Sequence, residues 1–193
     1  MSKIFYIGDP HFFHNNIIKY DARPFTNYQV MNEVLIQRWN SVVTDEDTVY
    51  ILGDVSWSTS DEENRKILNS LKGHKILVKG NHDKYMMKVR DCFDRIVDYY
   101  EINDNGTQVI LFHYPILFWN NQFHDSVHLY AHVHNSHQCN IMESCMKDIR
   151  ALQDLPMRAY NVGCMLPWMD YTPRTLQQII DNYVTVSDIS LRG

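Results

Sequence analysis

A short apolar segment that ends in a glycine and three polar residues constrains this chain more than any other feature. Residues 75–79 read Lys-Ile-Leu-Val-Lys, which is too brief for a helix and predicts a buried strand. Gly80 ends it, and Asn81, His82 and Asp83 follow at once. Each polar side chain needs a hydrogen-bond partner once water is excluded, so folding alone gives no reason to group them there. The ordinary interpretation is a helix N-cap after a tight turn, provided by Asn81 or Asp83.

Four other apolar segments are followed in the same way by Asp or His. They are residues 3–7 before Gly8-Asp9-Pro10-His11, residues 48–52 before Gly53-Asp54, residues 108–112 before His113, and residues 127–130 before Ala131-His132-Val133-His134. Carboxylates, amide oxygens and imidazoles are ligands for divalent cations. One accidental cap is easily explained, but five convergent strand ends are not. The sequence therefore predicts a shared metal site.

In order and approximate spacing, these motifs resemble those of the calcineurin-like metallophosphoesterases. The matching motifs, which span most of the chain, are Asp9-x-His11, Gly53-Asp54, Gly80-Asn81-His82-Asp83, His113 and His132-x-His134. Residues 11–18 and 23–25, with Asn161-Val162-Gly163 before a C-terminal helix, are similar to the small bacterial and phage-type branch. Pro10 and Ala131 depart from the family pattern, at positions that supply no ligand.

The resemblance implies an α/β fold with two face-to-face mixed β-sheets flanked by helices, the four-layer metallophosphoesterase sandwich. Strand and helix alternation early in the chain, followed by a hairpin at Asn105-Gly106, independently indicates a mixed sheet. Residues 1–193 are expected to form a single domain, because 193 residues with 45% apolar content suffice for one substantial core and not for two large ones.

The resemblance also implies the ligands of two metal ions, about 3.5–4 Å apart. One ion would be held by Asp9, His11, Asp54 and His134, and the other by Asp54, Asn81, His113 and His132. Asp54 would bridge both ions, since two close cations require a shared anionic ligand. The mixed nitrogen and oxygen set contains no thiolate, so Mn²⁺ is the expected ion, with Fe or Zn²⁺ as alternatives.

The implied activity is hydrolysis of a phosphomonoester or phosphodiester, including the nucleotide type. A hydroxide shared by the two ions would attack phosphorus in line. His82 follows a ligand without being one, so it would donate a proton to the leaving oxygen, and Asp83 would orient His82 and raise its pKa. The alternative for His82 is a buried, hydrogen-bonded imidazole. The alternatives for the whole chain are a non-catalytic metal-binding scaffold and a metallohydrolase of non-phosphate esters or amides.

Candidate substrate contacts come from the segments around the motifs. They are His14, Arg23, Tyr114 and Asn135, followed by Trp119, Asn120 and His137. Arg23 is equally compatible with a cation at a helix end or a surface ion pair. His124 and His128 are interpreted as structural.

Net charge and cysteine content limit the partners. A net charge of −5 and a pI near 6.0 disfavour a grip on long duplex nucleic acid, so a small anionic phosphoester is the expected partner, attracted by the metals. Without a signal-peptide pattern or an apolar run of ~18 residues, we expect a soluble, cytoplasmic protein with no membrane partner. The oligomeric state stays open.

The four cysteines form no C-x-x-C pair and indicate reduced thiols. A zinc site at His137, Cys139 and Cys145 is conceivable, although its spacing fits no standard pattern.

Apolar spacing and cap residues predict the helices and the remaining strands. Short helices are predicted in residues 14–20 and 85–90. A helix opened by Thr26 and Gln29 has Val30, Val34, Leu35 and Trp39 inside, and another is opened by Ser60 and Glu63. A further helix carries the stripe Ile141, Cys145, Ile149 and Leu152 as core or dimer contact, and the last one starts at Thr172-Pro173. Residues 96–102 and 158–162 are predicted strands.

Overall fold

A computed structural model describes residues 2–153 and 157–184, which form two four-stranded sheets and the helices that connect their strands. The strands are β1 (Ile4–Gly8), β2 (Thr48–Leu52), β3 (His74–Val78), β4 (Arg95–Val97), β5 (Tyr99–Asp104), β6 (Thr107–Phe112), β7 (Val127–Tyr130) and β8 (Ala159–Asn161). The α-helices are α1 (Asn15–Tyr20), α2 (Tyr28–Val42), α3 (Asp61–Ser70), α4 (His137–Gln153) and α5 (Leu176–Asn182), and Asp83–Cys92 and Gln122–His124 are 3₁₀ helices.

The first sheet has the order β1-β2-β3-β4, and all of its neighbouring strands are parallel. β1 and β2 are buried from their second residue to their last, as expected for strands that are covered on both faces. The carboxyl ends of β1, β2 and β3 therefore lie at one edge of the sheet. Mixed pairing was expected in both sheets, and this one is purely parallel.

The second sheet is mixed and has the order β5-β6-β7-β8. β5 and β6 form the antiparallel hairpin predicted at Asn105-Gly106, whose φ angles of 50° and 91° are those of a primed turn. β6, β7 and β8 are parallel to one another. The predicted α/β fold of two sheets flanked by helices is thus confirmed.

The predicted strand at 96–102 is two strands that belong to different sheets. Residues Arg95–Val97 pair with β3, and Tyr99–Asp104 pair with β6. Asp98 lies between them, outside both strands. Both halves have strand-forming residues, so local sequence gives no signal for the change of partner.

Two of the predicted helix starts are wrong because a neighbouring side chain provides the cap. α2 is capped by Asn27, whose side chain accepts a hydrogen bond from the Val30 amide at 3.0 Å, rather than by Thr26. α5 begins at Leu176 behind a capping box of Thr175 and Gln178, rather than at Thr172-Pro173. Pro173 therefore precedes the helix without starting it.

The inward faces of the helices differ in part from those predicted. In α2, Leu35 and Trp39 are buried as expected, but Met31 takes the place of Val30, which is 39% exposed. In α3, Ser60 caps the helix as predicted by accepting from the Glu63 amide, while the Glu63 carboxylate accepts from the Ser58 hydroxyl instead of closing the box. No helix in the described ranges is long and apolar enough to span a membrane.

α4 buries only part of the predicted apolar stripe. Ile141 is 51% exposed and Leu152 is 84% exposed, Cys145 and Ile149 are half-buried, and Cys139 and Met146 are buried. The helix exists where periodicity predicted it, but its most buried side is shifted from the predicted stripe. The alternative, a contact with a second copy, stays a prediction.

The two sheets are joined at β1. The Tyr6 hydroxyl donates a 2.8 Å hydrogen bond to Asp104 at the end of β5. Past the end of β8, the Gly8 amide donates to the Val162 carbonyl at 2.7 Å. A Cβ atom on Gly8 would lie 2.5 Å from the Cβ of Ala131, so only glycine permits this approach. The carboxyl end of β1 is consequently held beside the second sheet.

Replacing Tyr6 by phenylalanine should weaken the junction between the sheets. The Tyr6→Phe variant leaves Oδ2 of the buried Asp104 carboxylate without its donor, while Oδ1 still accepts from the Asn105 side chain, so the free energy of unfolding should fall by roughly 1–3 kcal/mol, measured by urea denaturation. Tyr50→Phe is the matched control: Tyr50 stacks on Tyr6 at 5.7 Å between ring centroids, and its hydroxyl makes no hydrogen bond in the described part of the chain. Equal losses in both variants would contradict the role of the Tyr6 hydroxyl.

Candidate metal centre

The residues predicted as metal ligands lie at the carboxyl ends of five strands. Their positions are Asp9 and His11 after β1, Asp54 after β2, Asn81 after β3, His113 after β6, and His132 and His134 after β7. The sheet junction brings these ends together, as is usual where ligands bind to open α/β sheets. Six of them form two groups whose candidate ligand atoms lie within 4.8 Å of one another: Asp9, His11 and His134 (the first cluster), and Asp54, His113 and His132 (the second cluster).

Most of these side chains are aimed by an unusual backbone conformation. The non-glycine residues with positive φ include Asp9 (52°), His11 (52°), Asp54 (53°), His132 (67°) and His134 (46°). This left-handed region is sparsely populated, although Asp and His enter it more easily than most residues. A concentration of such conformations is characteristic of functional sites, because surrounding structure must enforce them.

Two glycines let the loops after β2 and β3 pack against each other. A Cβ atom on Gly80 would lie 2.2 Å from Oδ1 of Asp54, and one on Gly53 would lie 2.3 Å from Nδ1 of His113. Gly53 also has a φ of +78°. The glycine before each motif is therefore required by the close approach of the side chains that the motifs supply.

Distances in the first cluster suit a shared ion. Nε2 of His134 lies 3.7 Å from Oδ2 of Asp9 and 3.3 Å from Nε2 of His11. Nε2 of His11 also lies 3.8 Å from Oδ2 of Asp54. Two atoms that each lie about 2.1 Å from one ion can be at most about 4.2 Å apart. All three separations meet that limit.

The second cluster is arranged around the carboxylate of Asp54. Nε2 of His113 lies 3.7 Å from Oδ2 of Asp54 and 3.2 Å from Oδ1 of Asn81. The rings of His113 and His132 are 5.1 Å apart between centroids. Since Oδ2 of Asp54 also lies near His11, one carboxylate oxygen faces both clusters. That is the placement required of a bridging ligand.

The donor set fits divalent cations. Oδ1 of Asp9 is buried and has no hydrogen-bond partner among the residues that the structure describes. Nδ1 of His113 donates to the Leu52 carbonyl at 2.8 Å, so in the neutral ring the lone pair of Nε2 faces Asp54. A lone pair and a carboxylate repel each other unless a cation lies between them. A metal ion between His113 and Asp54 would remove this repulsion, so the arrangement fits a bound cation.

Burial sets the direction of the pKa shift at two of the three residues in the first cluster. It raises the pKa of Asp9 and lowers the pKa of His11 well below its usual range. Burial acts to lower the pKa of His134 too, but the carboxylates of Asp9 and Asp21 raise it overall. A bound divalent cation would favour the ionised form of Asp9. His11 is held in the neutral form, which is the form that binds metal.

Arg23 lies behind the metal-binding loops. Its side chain is buried and pairs with Asp21 at 2.8 Å, and it donates to the backbone carbonyls of Asp9 and Pro10, at 3.0 Å each. The prediction that Arg23 contacts substrate is therefore wrong, because its guanidinium group is fully engaged inside the protein. Asp21, in turn, accepts from Nδ1 of His134 at 2.8 Å.

Asp83 supports the Asp54 loop and does not orient His82. Its carboxylate accepts hydrogen bonds from the amides of Asp54, Val55 and Gly80, at 2.8, 2.8 and 2.7 Å. The expectation that Asp83 holds the His82 ring is wrong, because both of its oxygens are used by backbone amides. Burial raises the pKa of Asp83 to about 6.

His82 is exposed at the edge of the centre. Its backbone amide donates to Oδ1 of Asp54 at 2.9 Å, which fixes its position relative to the carboxylate that faces both clusters. Its ring packs against Trp57 at 4.5 Å between centroids, and lies 6.2 Å from the ring of His11. An exposed imidazole beside the clusters differs from the buried, hydrogen-bonded ring that was the alternative for this residue.

The other candidate substrate contacts fall into different surroundings. Tyr114 is partly exposed and meets the His132 ring edge-on at 4.5 Å, which leaves it beside the second cluster. His14 is largely buried and stacks on Trp57 at 3.9 Å. Asn135 is exposed, and its amide donates to the Asp21 carbonyl at 3.1 Å.

The weaker candidates show no contact with the ligand side chains in the described part of the chain. Trp119 is buried and donates to the Ser126 hydroxyl, Asn120 donates to Glu101, and His137 is exposed at the start of α4. The groups that could hold a metal in the described residues are the two motif clusters, so His137, Cys139 and Cys145 form no zinc site there.

His128 is structural, as interpreted from the sequence. Its Nδ1 donates to the Ile110 carbonyl, and burial lowers its pKa to about 4.

Sequence reasoning missed three residues that support the centre. Asp21 holds His134, Trp57 packs between His14 and His82, and Asn161 donates to the His134 carbonyl at 3.0 Å. Asn161 was noted only as part of a family motif. Asp21 and Trp57 lie near motif residues in the sequence, but nothing in their spacing indicates which side chain they contact.

Comparison with known proteins identifies the family. The model of the calcineurin-like phosphoesterase family matches residues 2–162, so the chain belongs to this family. An uncharacterized protein of Methanocaldococcus jannaschii is 40% identical over 138 residues, which cover 71% of this chain and 72% of that protein.

A solved structure is similar over almost the whole chain. It is a protein of unknown function from Aquifex aeolicus, 28% identical, with a TM-score of 0.71 over 95% of this chain and 100% of that one. Neither of the two relatives has an assigned activity.

Exchanging Asp83 for asparagine separates the two roles considered for it. Asp83→Asn replaces an acceptor oxygen with a donor, so at least one of three backbone amides loses its partner. The free energy of unfolding of the metal-free protein should fall by about 1–3 kcal/mol in urea denaturation. The control is Asp94→Asn, whose carboxylate also accepts from a backbone amide but is exposed and lies at the far end of β3. Unchanged stability in Asp83→Asn would contradict the supporting role.

Proposed function

We propose that this protein is a binuclear metal-dependent phosphoesterase that hydrolyses a small phosphomonoester or phosphodiester, including the nucleotide type. The observation that carries the proposal is the placement of Asp54, whose Oδ2 lies 3.8 Å from Nε2 of His11 and 3.7 Å from Nε2 of His113. A single carboxylate facing two ligand clusters is the feature that a two-metal centre needs. Membership of the calcineurin-like phosphoesterase family supports the same reaction class.

The ligands of the two ions are assigned as the motifs imply. One ion would be held by Asp9, His11, Asp54 and His134, and the other by Asp54, Asn81, His113 and His132. When bound, such ions supply a nucleophile from water at neutral pH and neutralise charge on phosphate oxygens. Nitrogen and oxygen donors without a thiolate favour Mn²⁺, with Fe or Zn²⁺ as alternatives.

His82 is assigned as the proton donor to the leaving oxygen. Its amide donates a hydrogen bond to the Asp54 carboxylate, which faces both clusters, and its exposed ring is free to face a substrate. Trp57 packs against this ring and stacks on His14, which restricts the positions that the imidazole can adopt. A general acid must be held within reach of the leaving group, and this packing provides that constraint.

The site admits a small substrate. A groove of about 320 Å³ beside the clusters is lined by Ser56, Trp57, Thr59, Asn81, His82, Lys84 and Tyr85. Lys84 adds a cation to this groove, and Tyr114 adds a partly exposed ring near His132. These features suit a small anionic phosphoester. A cytoplasmic location and the exclusion of long duplex nucleic acid stay predictions from the sequence.

Activity on simple esters tests the proposal directly. The protein, purified without chelators and supplied with Mn²⁺, should hydrolyse at least one member of a panel of chromogenic phosphomonoesters and phosphodiesters. Elemental analysis should find about two transition-metal ions per chain, as a two-metal site requires. Two bound ions without turnover on any ester would favour a non-catalytic scaffold instead.

Asp54→Asn is the control for the metal assignment in that experiment. It preserves the volume of the side chain but removes the charge between the ions, so occupancy should fall at both positions and activity should be lost. Retention of two tightly bound ions would contradict the bridging role of Asp54.

His82→Ala should separate proton transfer from metal binding. His82 is not a predicted ligand, so metal content should stay the same while kcat falls by roughly 10²–10⁴-fold for an alkyl ester. The loss should be much smaller for a p-nitrophenyl ester, because an activated phenolate leaves without a proton. Steady-state kinetics on the two esters measures the difference. Equal losses would indicate that His82 stabilises phosphate, and loss of metal would indicate a supporting role.

A further inference from the structure

Asp21 and Arg23 form a buried ion pair next to the metal centre. Asp21 follows directly after α1, and Arg23 lies two residues further on, before α2. Their side chains are only 4% and 0% exposed, and their charged groups meet at 2.8 and 2.9 Å. Burying two charges is unfavourable unless their geometry and remaining hydrogen bonds are well satisfied. A buried ion pair is therefore weak evidence of a purely stabilising role, and its other contacts indicate what it supports.

Among the described residues, the remaining hydrogen bonds of the two side chains all go to the first cluster and its loops, apart from a contact between Arg23 and the Met31 sulfur. Both carboxylate oxygens of Asp21 reach Nδ1 of His134, at 2.8 and 3.0 Å. Arg23 donates to the carbonyls of Asp9 and Pro10, at 3.0 Å each. The pair is therefore hydrogen-bonded to both chain segments that supply Asp9, His11 and His134.

The second cluster is supported differently. His113 is oriented by a backbone carbonyl, that of Leu52, at 2.8 Å. His134 instead donates to a carboxylate whose charge is balanced by Arg23. A carboxylate behind a ligating imidazole fixes the tautomer and makes the other ring nitrogen a stronger ligand. The carboxylate of Asp83 supports the second cluster only through backbone amides, so of the imidazoles His134 and His113 only His134 has a carboxylate behind its ring.

We propose that Asp21 and Arg23 are positioning residues that set the metal affinity of the first cluster without setting that of the second. This inference rests on the two-metal centre of the proposed function. The pair would hold Nε2 of His134 and the Asp9 loop in the ligating arrangement before metal arrives. Loss of the pair should therefore lower the metal affinity of the first cluster and leave that of the second cluster unchanged.

Mn²⁺ binding to Asp21→Ala tests the inference. Calorimetric titration of the metal-free protein should show two ions binding to the wild type, and in the variant one ion should bind about 10–100-fold more weakly while the other is unchanged. Electron paramagnetic resonance with two equivalents of Mn²⁺, at a concentration that fills both wild-type positions but lies below the weakened dissociation constant, should then show isolated ions in the variant and coupled pairs in the wild type. Asp21→Asn, which keeps an acceptor oxygen but lacks the charge, should lie between them.

Arg23→Lys provides a second variant that retains the charge. A lysine cannot reproduce the planar fork that reaches Asp21, Asp9 and Pro10 together, so the same single ion should bind more weakly. An unchanged affinity for both ions in Arg23→Lys and in Asp21→Ala would overturn the inference.

Asp47→Asn is the matched control for a buried carboxylate. Asp47 accepts from the Thr44 amide, the Thr44 hydroxyl and the Lys3 amide, just before the start of β2 and so at the opposite end of the strand from Asp54. This variant should lose stability and keep both Mn²⁺ affinities. Equal weakening of both ions in Asp21→Ala, or the same pattern in Asp47→Asn, would overturn the proposal. Because no turnover is measured, failure of the proposed reaction leaves this result intact.

Discussion

Two carboxylates, those of Asp9 and Asp54, are buried where strands of both sheets end, and the groups around them are arranged by their charge. The amides of His132 and His82 donate to them at 3.0 and 2.9 Å and so tie the loops after β7 and β3 to these carboxylates. Buried carboxylates are unfavourable unless a proton or a nearby cation offsets their charge. A bound divalent cation would meet that condition at both carboxylates, so the arrangement of the centre depends on the charge that it holds.

The strands and their polar ends could be predicted because their signal is local. A run of apolar residues defines a buried strand, and the residue after it lies at the sheet edge whatever the rest of the chain does. β2 and β7 accordingly have the bounds that the sequence predicts. Periodicity also found α4, yet it could not select the buried side, because Ile141 and Cys139 offer competing apolar stripes on one helix.

What could not be predicted depends on packing between distant segments. Arg23 is an ordinary surface candidate by composition, and only the meeting of residues 21–23 with the loops after β1 and β7 buries it. Asp83 lies next to His82 in the sequence, but the close packing of Gly80 on Asp54 brings backbone amides nearer to its carboxylate than the imidazole. Adjacency along the chain is a poor guide to contact where the backbone turns this tightly.

Each cluster draws its members from both sheets, so a bound ion would connect the two sheets to each other. An ion bound to His11 and His134, which are 123 residues apart, would act as a removable cross-link that closes a very long loop. In a chelated sample the sheets would remain, but the edge between them would be secured only by contacts such as those of β1 with Val162 and Asp104. Amide hydrogen exchange at that edge would then report metal occupancy, with the loops opening before the strands do.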